Sequence, residues 1–126
     1  MKSDGFKAAA EAKQFSSVDE LFAEDIVFSS PVVFKQYEGR EAIAVILSAV
    51  VEVFEDFRYV DQLETGDTAV LVFKARIGER EVDGVDILRF DGGEKISELM
   101  VMVRPMSGMN ALAEAMQARL AAAGSG

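Results

Sequence analysis

The chain has 126 residues, 13 Lys and Arg against 22 Asp and Glu, a formal charge of −9, and no Cys, His or Trp. That length suits one domain with a sizeable core, spanning 1–126 with a flexible tail at 124–126. The missing side chains exclude disulfides, thiolate nucleophiles, Cys- or His-built metal centres, a Ser-His-Asp triad and an imidazole base.

The acidic balance predicts no nucleic-acid partner and no anionic membrane surface, since both attract basic proteins. Half the residues are apolar and 28% are charged, the balance of a globular chain. The N-terminal residues 1–13 lack the apolar core of a signal peptide. The apolar stretch 42–51 is interrupted by Ser48 and too short for a bilayer. A cytoplasmic protein is expected, with no metal and no cofactor.

Residues 5–14 are Ala-rich and predict a helix. Ser17, Val18, Asp19 and Glu20 fit a capping box that opens a second short helix through about Ala23. Ile26 to Ser30 and Val32 to Tyr37 read as strands broken at Pro31. Gly39 to about Val53 predicts the main helix, because Ile43, Ile46, Leu47, Val50 and Phe54 recur at helical spacing. Three or four strands follow at about 55–64, 68–77, 81–90 and 95–104, spaced by turn residues as an antiparallel meander. Residues 108–122 predict a closing helix with Met109, Leu112, Met116 and Leu120 on one stripe. The expected class is α+β, a strongly curved and mainly antiparallel sheet with the long helix on its concave face.

Alternation along the strands separates two faces. One carries Phe57 and Tyr59; Ala69, Leu71, Phe73 and Ala75; Val82, Gly84, Asp86, Leu88 and Phe90; Leu99, Val101 and Val103. It is apolar and predicts the concave side, with Asp86 as the anomaly, since a buried carboxyl needs a partner or a proton. The other face carries Val70, Val72, Val85, Ile87, Met100 and Met102 between charged ends. An apolar patch rimmed by charge predicts a homodimer through the convex face. The alternative is that the closing helix, with its Met residues, covers this face. Arg104 shares parity with Met100 and Met102, which places it at the same seam.

Ala23-Glu24-Asp25, Ser29-Ser30-Pro31 and Glu38-Gly39-Arg40-Glu41-Ala42-Ile43 resemble the front half of the ketosteroid isomerase and nuclear transport factor 2-like superfamily. Val85 to Asp91 with Lys95-Ile96 is similar to a strand pair of that superfamily, and Val101 to Pro105 resembles its small SnoaL-like members. The resemblance implies a conical barrel wrapped around a long helix, an apolar pocket and dimerisation through the sheet. It also implies an isomerase, cyclase or dehydratase, or a non-catalytic binder or interaction module. The isomerase pattern has an Asp base at the position of Ser30, a Tyr on the first helix and a protonated Asp at the position of Asp86. Only Asp86 is retained, which disfavours steroid isomerisation by the usual route. Gly84 stands where epoxide hydrolases of this scaffold place an Arg, which disfavours that route too. A SnoaL-like cyclase uses a single carboxyl acid/base, the role left to Asp86.

The expected partner is a small apolar molecule. The expected pocket is lined by Phe28, Ser30, Phe57, Tyr59, Leu71, Phe73, Val82, Val101 and Val103, with Asp86 as the catalytic candidate. Against that stands a structural reading in which Asp86 is bonded to backbone or to Tyr59. Ser30 reads more simply as a strand-end residue with a local bond. Tyr59 is either a core residue or a stand-in for the missing helix Tyr. Asp61 shares the inward parity and is a second candidate carboxylate, although a position near a strand end is more often solvated.

Overall fold

The computed structural model describes residues 1–15, 18–32 and 34–124, without the side chains of Leu120 and 122–124. Ser17 of the expected capping box lies outside them. In chain order the elements are α1 (Asp4–Glu11), α2 (Val18–Leu21), β1 (Phe22–Ser29), β2 (Tyr37–Glu38), α3 (Arg40–Val53), β3 (Glu55–Thr65), β4 (Thr68–Ile77), β5 (Arg80–Phe90), β6 (Ile96–Arg104) and α4 (Met106–Gly124). The strands form one six-stranded sheet in the order β2-β1-β6-β5-β4-β3. β3 to β6 are the expected antiparallel meander, while β1 joins β6 in parallel, so the sheet is mixed and does not close.

Two expectations near the start change. The first strand begins at Phe22, where the second helix was expected to continue. Phe22 is fully buried and pairs with Ile96, so tertiary burial overrides the short helix. The strand expected over Val32 to Tyr37 shrinks to Tyr37 and Glu38, which turn back onto Phe28 and Val27. Val33 of that stretch lies outside the described residues; Pro31 breaks the chain there, and Val32 and Phe34 are exposed, so neither of these two side chains is held against the sheet. Gly39 then starts α3 at φ 93°, a backbone conformation that a Cβ disfavours, while its N–H donates to Ile26 O at 2.9 Å.

The concave core is the one expected from parity. Ile43, Leu47 and Val51 of α3 pack with Phe22, Ile26 and Phe28 of β1 and with Ala69, Leu71, Leu88 and Leu99 of the sheet. Phe6 and Ala10 of α1 join the same cluster. A second cluster brings Leu112 of α4 against Val53, Phe54, Phe73, Ala75 and Val82. α4 therefore lies on the concave side and leaves the convex face uncovered, contrary to the alternative in which its Met residues cap that face. Met100, Met102 and Leu63 are exposed there beside half-buried Val70, Val72, Val85 and Ile87. Arg104 is on this face as expected, its guanidinium 2.7 Å from Asp83. Among the described residues, no helix is long and apolar enough to cross a membrane.

One close approach organises the sheet. Phe73 and Gly84 are direct cross-strand partners, and a Cβ at Gly84 would lie 2.0 Å from Phe73 Cζ. The ring of Phe73 thus occupies the space of a missing side chain. From there it contacts Phe54 and Phe57, with ring centroids at 5.4 and 4.9 Å. Gly84→Ala is expected to displace this ring and cost about 1–3 kcal/mol, as overpacking of a full core does. Urea denaturation checks this, and an unchanged midpoint would mean that the ring moves aside freely.

Candidate functional site

Between the sheet and helices α1, α3 and α4 lies a cavity of about 400 Å³. Its wall holds eight aromatic rings: Phe6, Phe15, Phe28, Tyr37, Phe54, Phe57, Tyr59 and Phe73. Asp86 is the one carboxylate among the described lining residues, and no Lys or Arg is present there.

Asp86 sits on β5 between Leu71 of β4 and Val101 of β6, away from either sheet edge. It is only 5% exposed. The Tyr59 hydroxyl donates to its Oδ2 at 2.6 Å. The other oxygen, Oδ1, makes no hydrogen bond among the described residues. No fully buried side-chain N or O among them lacks a partner, so Oδ1 opens onto the cavity that Asp86 lines. Burial pushes the Asp86 carboxyl up to about 7, against a smaller downward pull from the Tyr59 hydroxyl. Burial, then the charge of Asp86, raises the Tyr59 phenol well above its ordinary value.

Tyr59 is positioned from three sides. Its ring meets Phe57 edge to face at 5.0 Å and Phe73 at 6.2 Å. Its backbone N–H donates to Glu11 Oε2 of α1 at 3.3 Å. Its strand is irregular on both flanks, with register shifts between Glu55 and Arg58 and between Tyr59 and Asp61. The second shift overturns the inward placement of Asp61. Tyr59 faces Phe73, but Asp61 faces Val72, so one extra residue moves Asp61 to the convex side, where it is exposed. Gln62 takes the position opposite Leu71. Its amide donates to Ser3 Oγ at 2.7 Å and Asp4 Oδ1 at 2.9 Å. Glu64 accepts from the Ser3 backbone at 3.0 Å and from its hydroxyl at 2.6 Å, fixing the start of α1 to β3.

Of the residues expected to line the pocket, Phe28, Ser30, Phe57, Tyr59, Phe73, Val101 and Asp86 reach the cavity. Leu71, Val82 and Val103 do not. Leu71 is fully enclosed in the core beneath α3. Val82 is covered by the start of α4, where a Cβ at Gly108 would be 2.4 Å from Val82 Cγ1. Val103 packs on the cluster around Leu112. They share the concave face, but helices fill the space in front of them. Ser30 lies at the cavity wall, and its hydroxyl accepts from Val32 N at 3.3 Å, a local turn bond.

Sequence reasoning missed the helical walls. Phe6, Ala10 and Phe15 contribute one side, Ile46, Leu47 and Val50 a second, and Leu112, Ala113, Met116 and Gln117 a third. The α3 and α4 stripes were visible as apolar periodicity, which marks a buried face without separating packed core from cavity wall.

The comparisons agree with this architecture. Residues 4–99 match the family model of the SnoaL-like domain, and the chain belongs to that family. It is similar to a steroid delta-isomerase from Pseudomonas aeruginosa, with 41% identity over 99% of this chain and 93% of that one at a TM-score of 0.94. An uncharacterised bacterial protein with a cystatin-like fold from Silicibacter pomeroyi is 31% identical, covering 94% of this chain and 84% of its own, at a TM-score of 0.90. A nuclear transport factor 2-like protein of unknown function from Mesorhizobium loti has the same fold at 22% identity, over 82% of this chain and 88% of its own, with a TM-score of 0.74. No curated protein matches the sequence.

The raised Asp86 titration has a defined effect on stability. Between the ordinary carboxylate value of 3.8 and about 7, the folded chain keeps a proton that the unfolded chain releases. The stabilisation from this group is therefore complete below that window, falls as pH rises through it, and is lost above about 7. Asp86→Asn removes the titration. Urea denaturation is expected to show the variant gaining about 3 kcal/mol on the parent between about pH 5 and about pH 8. A constant difference across that range would mean that Asp86 ionises normally.

Proposed function

We propose that the chain binds a small, largely apolar molecule in this cavity and moves a proton on it through Asp86, as an isomerase, cyclase or dehydratase does. The observation carrying this reading is the Asp86–Tyr59 pair, 2.6 Å apart, at the wall of an otherwise apolar cavity. In the working cycle Asp86 starts ionised. Oδ1 takes a proton from a carbon beside an activating carbonyl and returns it to another atom of the same molecule. Tyr59 continues to donate to Oδ2, holding the carboxyl in place and easing its charge in a dry site. A carboxyl whose burial raises its proton affinity is a stronger base toward carbon than an exposed one. The likeness to the Pseudomonas aeruginosa steroid delta-isomerase suggests a polycyclic ketone as the first substrate to test. Ser30 supplies no carboxylate base, so both halves of the proton transfer fall to Asp86.

The test is double-bond migration in a β,γ-unsaturated steroid ketone, followed by absorbance of the conjugated product. The rate is expected to rise with pH through about 7 and then level, as Asp86 ionises. Asp86→Asn is expected to lower kcat/KM by about 10²–10⁴, the usual size of a lost acid/base group. Full turnover by the variant would reject the role. Binding of the ketone without turnover would support the second reading, a non-catalytic ligand carrier, which the lack of a second carboxylate among the described lining residues favours.

The assembly proposed is a homodimer through the convex face. Leu63, Val70, Ile87 and Met100 lie in register across β3 to β6, beside the row Asp61, Val72, Val85 and Met102. A third row, Arg58, Lys74, Asp83 and Arg104, supplies a charged rim. Sedimentation at micromolar concentration is expected to give a dimer, and Met102→Glu to shift it toward monomer. A monomeric parent protein would end this part of the reading.

A further inference from the structure

The polar chemistry of the cavity is asymmetric. Tyr59 has one hydroxyl hydrogen, and its geometry directs that hydrogen to Asp86 Oδ2. What the pair offers to the cavity is therefore Oδ1, an acceptor whenever Asp86 is ionised. A ketone needs a donor, which this pair supplies only when Asp86 carries its proton on Oδ1. An ammonium group needs the acceptor and brings the missing counter-charge.

Two further features favour a cation. Phe57, Tyr59 and Phe73 line the same cavity as Asp86. Aromatic faces attract ammonium groups within about 6 Å of the ring centre. The chain also carries a formal charge of −9, a field that draws cations toward its openings and repels anions. No described lining residue is a Lys or Arg, so nothing in the wall opposes a positive group or pairs with a negative one.

We propose that the cavity is a binding site for protonated lipophilic amines, with the ammonium N–H donating to Asp86 Oδ1 and the hydrocarbon portion lying among the aromatic side chains. This rests on the ligand-binding role proposed above for the same cavity and adds a chemical class to it. Burial makes an isolated carboxylate costly, and a cation beside it removes that cost, whereas a neutral ligand leaves it standing. The titratable surroundings are simple. Tyr59 of β3 faces Asp86, and Glu11 of α1 lies behind Tyr59 at its backbone N–H. Tyr37 of β2 is the other titratable group in the wall, while α3, β4, β6 and α4 bring none among the described residues. Amine affinity therefore follows the ionisation of Asp86 and rises with pH while the amine stays protonated.

The experiment compares two probes of matched shape by calorimetry on the intact chain, N,N-dimethyl-3-phenylpropylamine and 5-phenylpentan-2-one. At about pH 8 the amine is expected to bind about tenfold more tightly than the ketone, and its affinity to fall about tenfold by about pH 5.5 while the ketone's does not fall. Asp86→Asn is expected to erase the amine's advantage. The pH comparison in the parent protein carries the same information without a variant. Ketone binding that equals or exceeds amine binding at about pH 8 overturns the amine proposal and leaves the cavity reading standing. An amine advantage that survives Asp86→Asn overturns it as well. If neither probe binds, the ligand-binding reading fails and the amine proposal fails with it.

Discussion

Phe73 lies across a strand position that has no side chain, and the interior is arranged around that overlap. Because Gly84 leaves the space empty, the ring can sink onto β5 and meet Phe54, Phe57 and Tyr59. That packing sets the plane of Tyr59 and brings its hydroxyl to Asp86 two residues along from Gly84. The sequence of causes runs from a glycine through three aromatic rings to one carboxyl. A larger residue at 84 disturbs the far end of this series without touching it.

The carboxyl at the end of the series is held between opposing effects. Removal from water favours its neutral form, and the Tyr59 hydroxyl favours its charged form. Desolvation is the larger, so the group titrates near neutrality instead of in the acid range. That balance has a structural cost and a chemical use. A buried Asp that ionised at its ordinary value would need a nearby cation, and the described lining residues supply none. What remains is a proton site whose state a bound molecule can shift, since one oxygen is committed to Tyr59 and the other opens to the cavity.

The two sheet faces divide the work. Helices α1, α3 and α4 all pack on the concave side, where the apolar residues of β4, β5 and β6 point. They fill much of that space and leave the rest as the cavity. The convex side keeps its own apolar rows with no helix of the described residues over them. A single irregularity in β3 decides which side Asp61 belongs to. The same shift turns Gln62 inward, where it ties the start of α1 to the sheet.

Much of this was legible in the residues themselves. Strict alternation over β4, β5 and β6 identified the concave face and singled out Asp86, because a two-residue period is a local property of an extended chain. The helical spacing of Ile43, Ile46 and Leu47 identified α3, and the quoted motifs led to the SnoaL-like family whose model then matched. Other features depended on which segments come together. Alternation gives the face of Leu71, Val82 and Val103 but says nothing about whether a helix fills the space before them. The bulge that moves Asp61 outward depends on the partner strand, and Phe22 joins a strand because Ile96 lies beside it. The sequence determined that one carboxyl would lie on an apolar face. Only the tertiary structure decided that Tyr59 reaches it, that its other oxygen opens to a cavity, and that burial moves its titration to neutral pH. Those properties arise from the distance and dielectric between groups far apart in the chain, which no local pattern encodes.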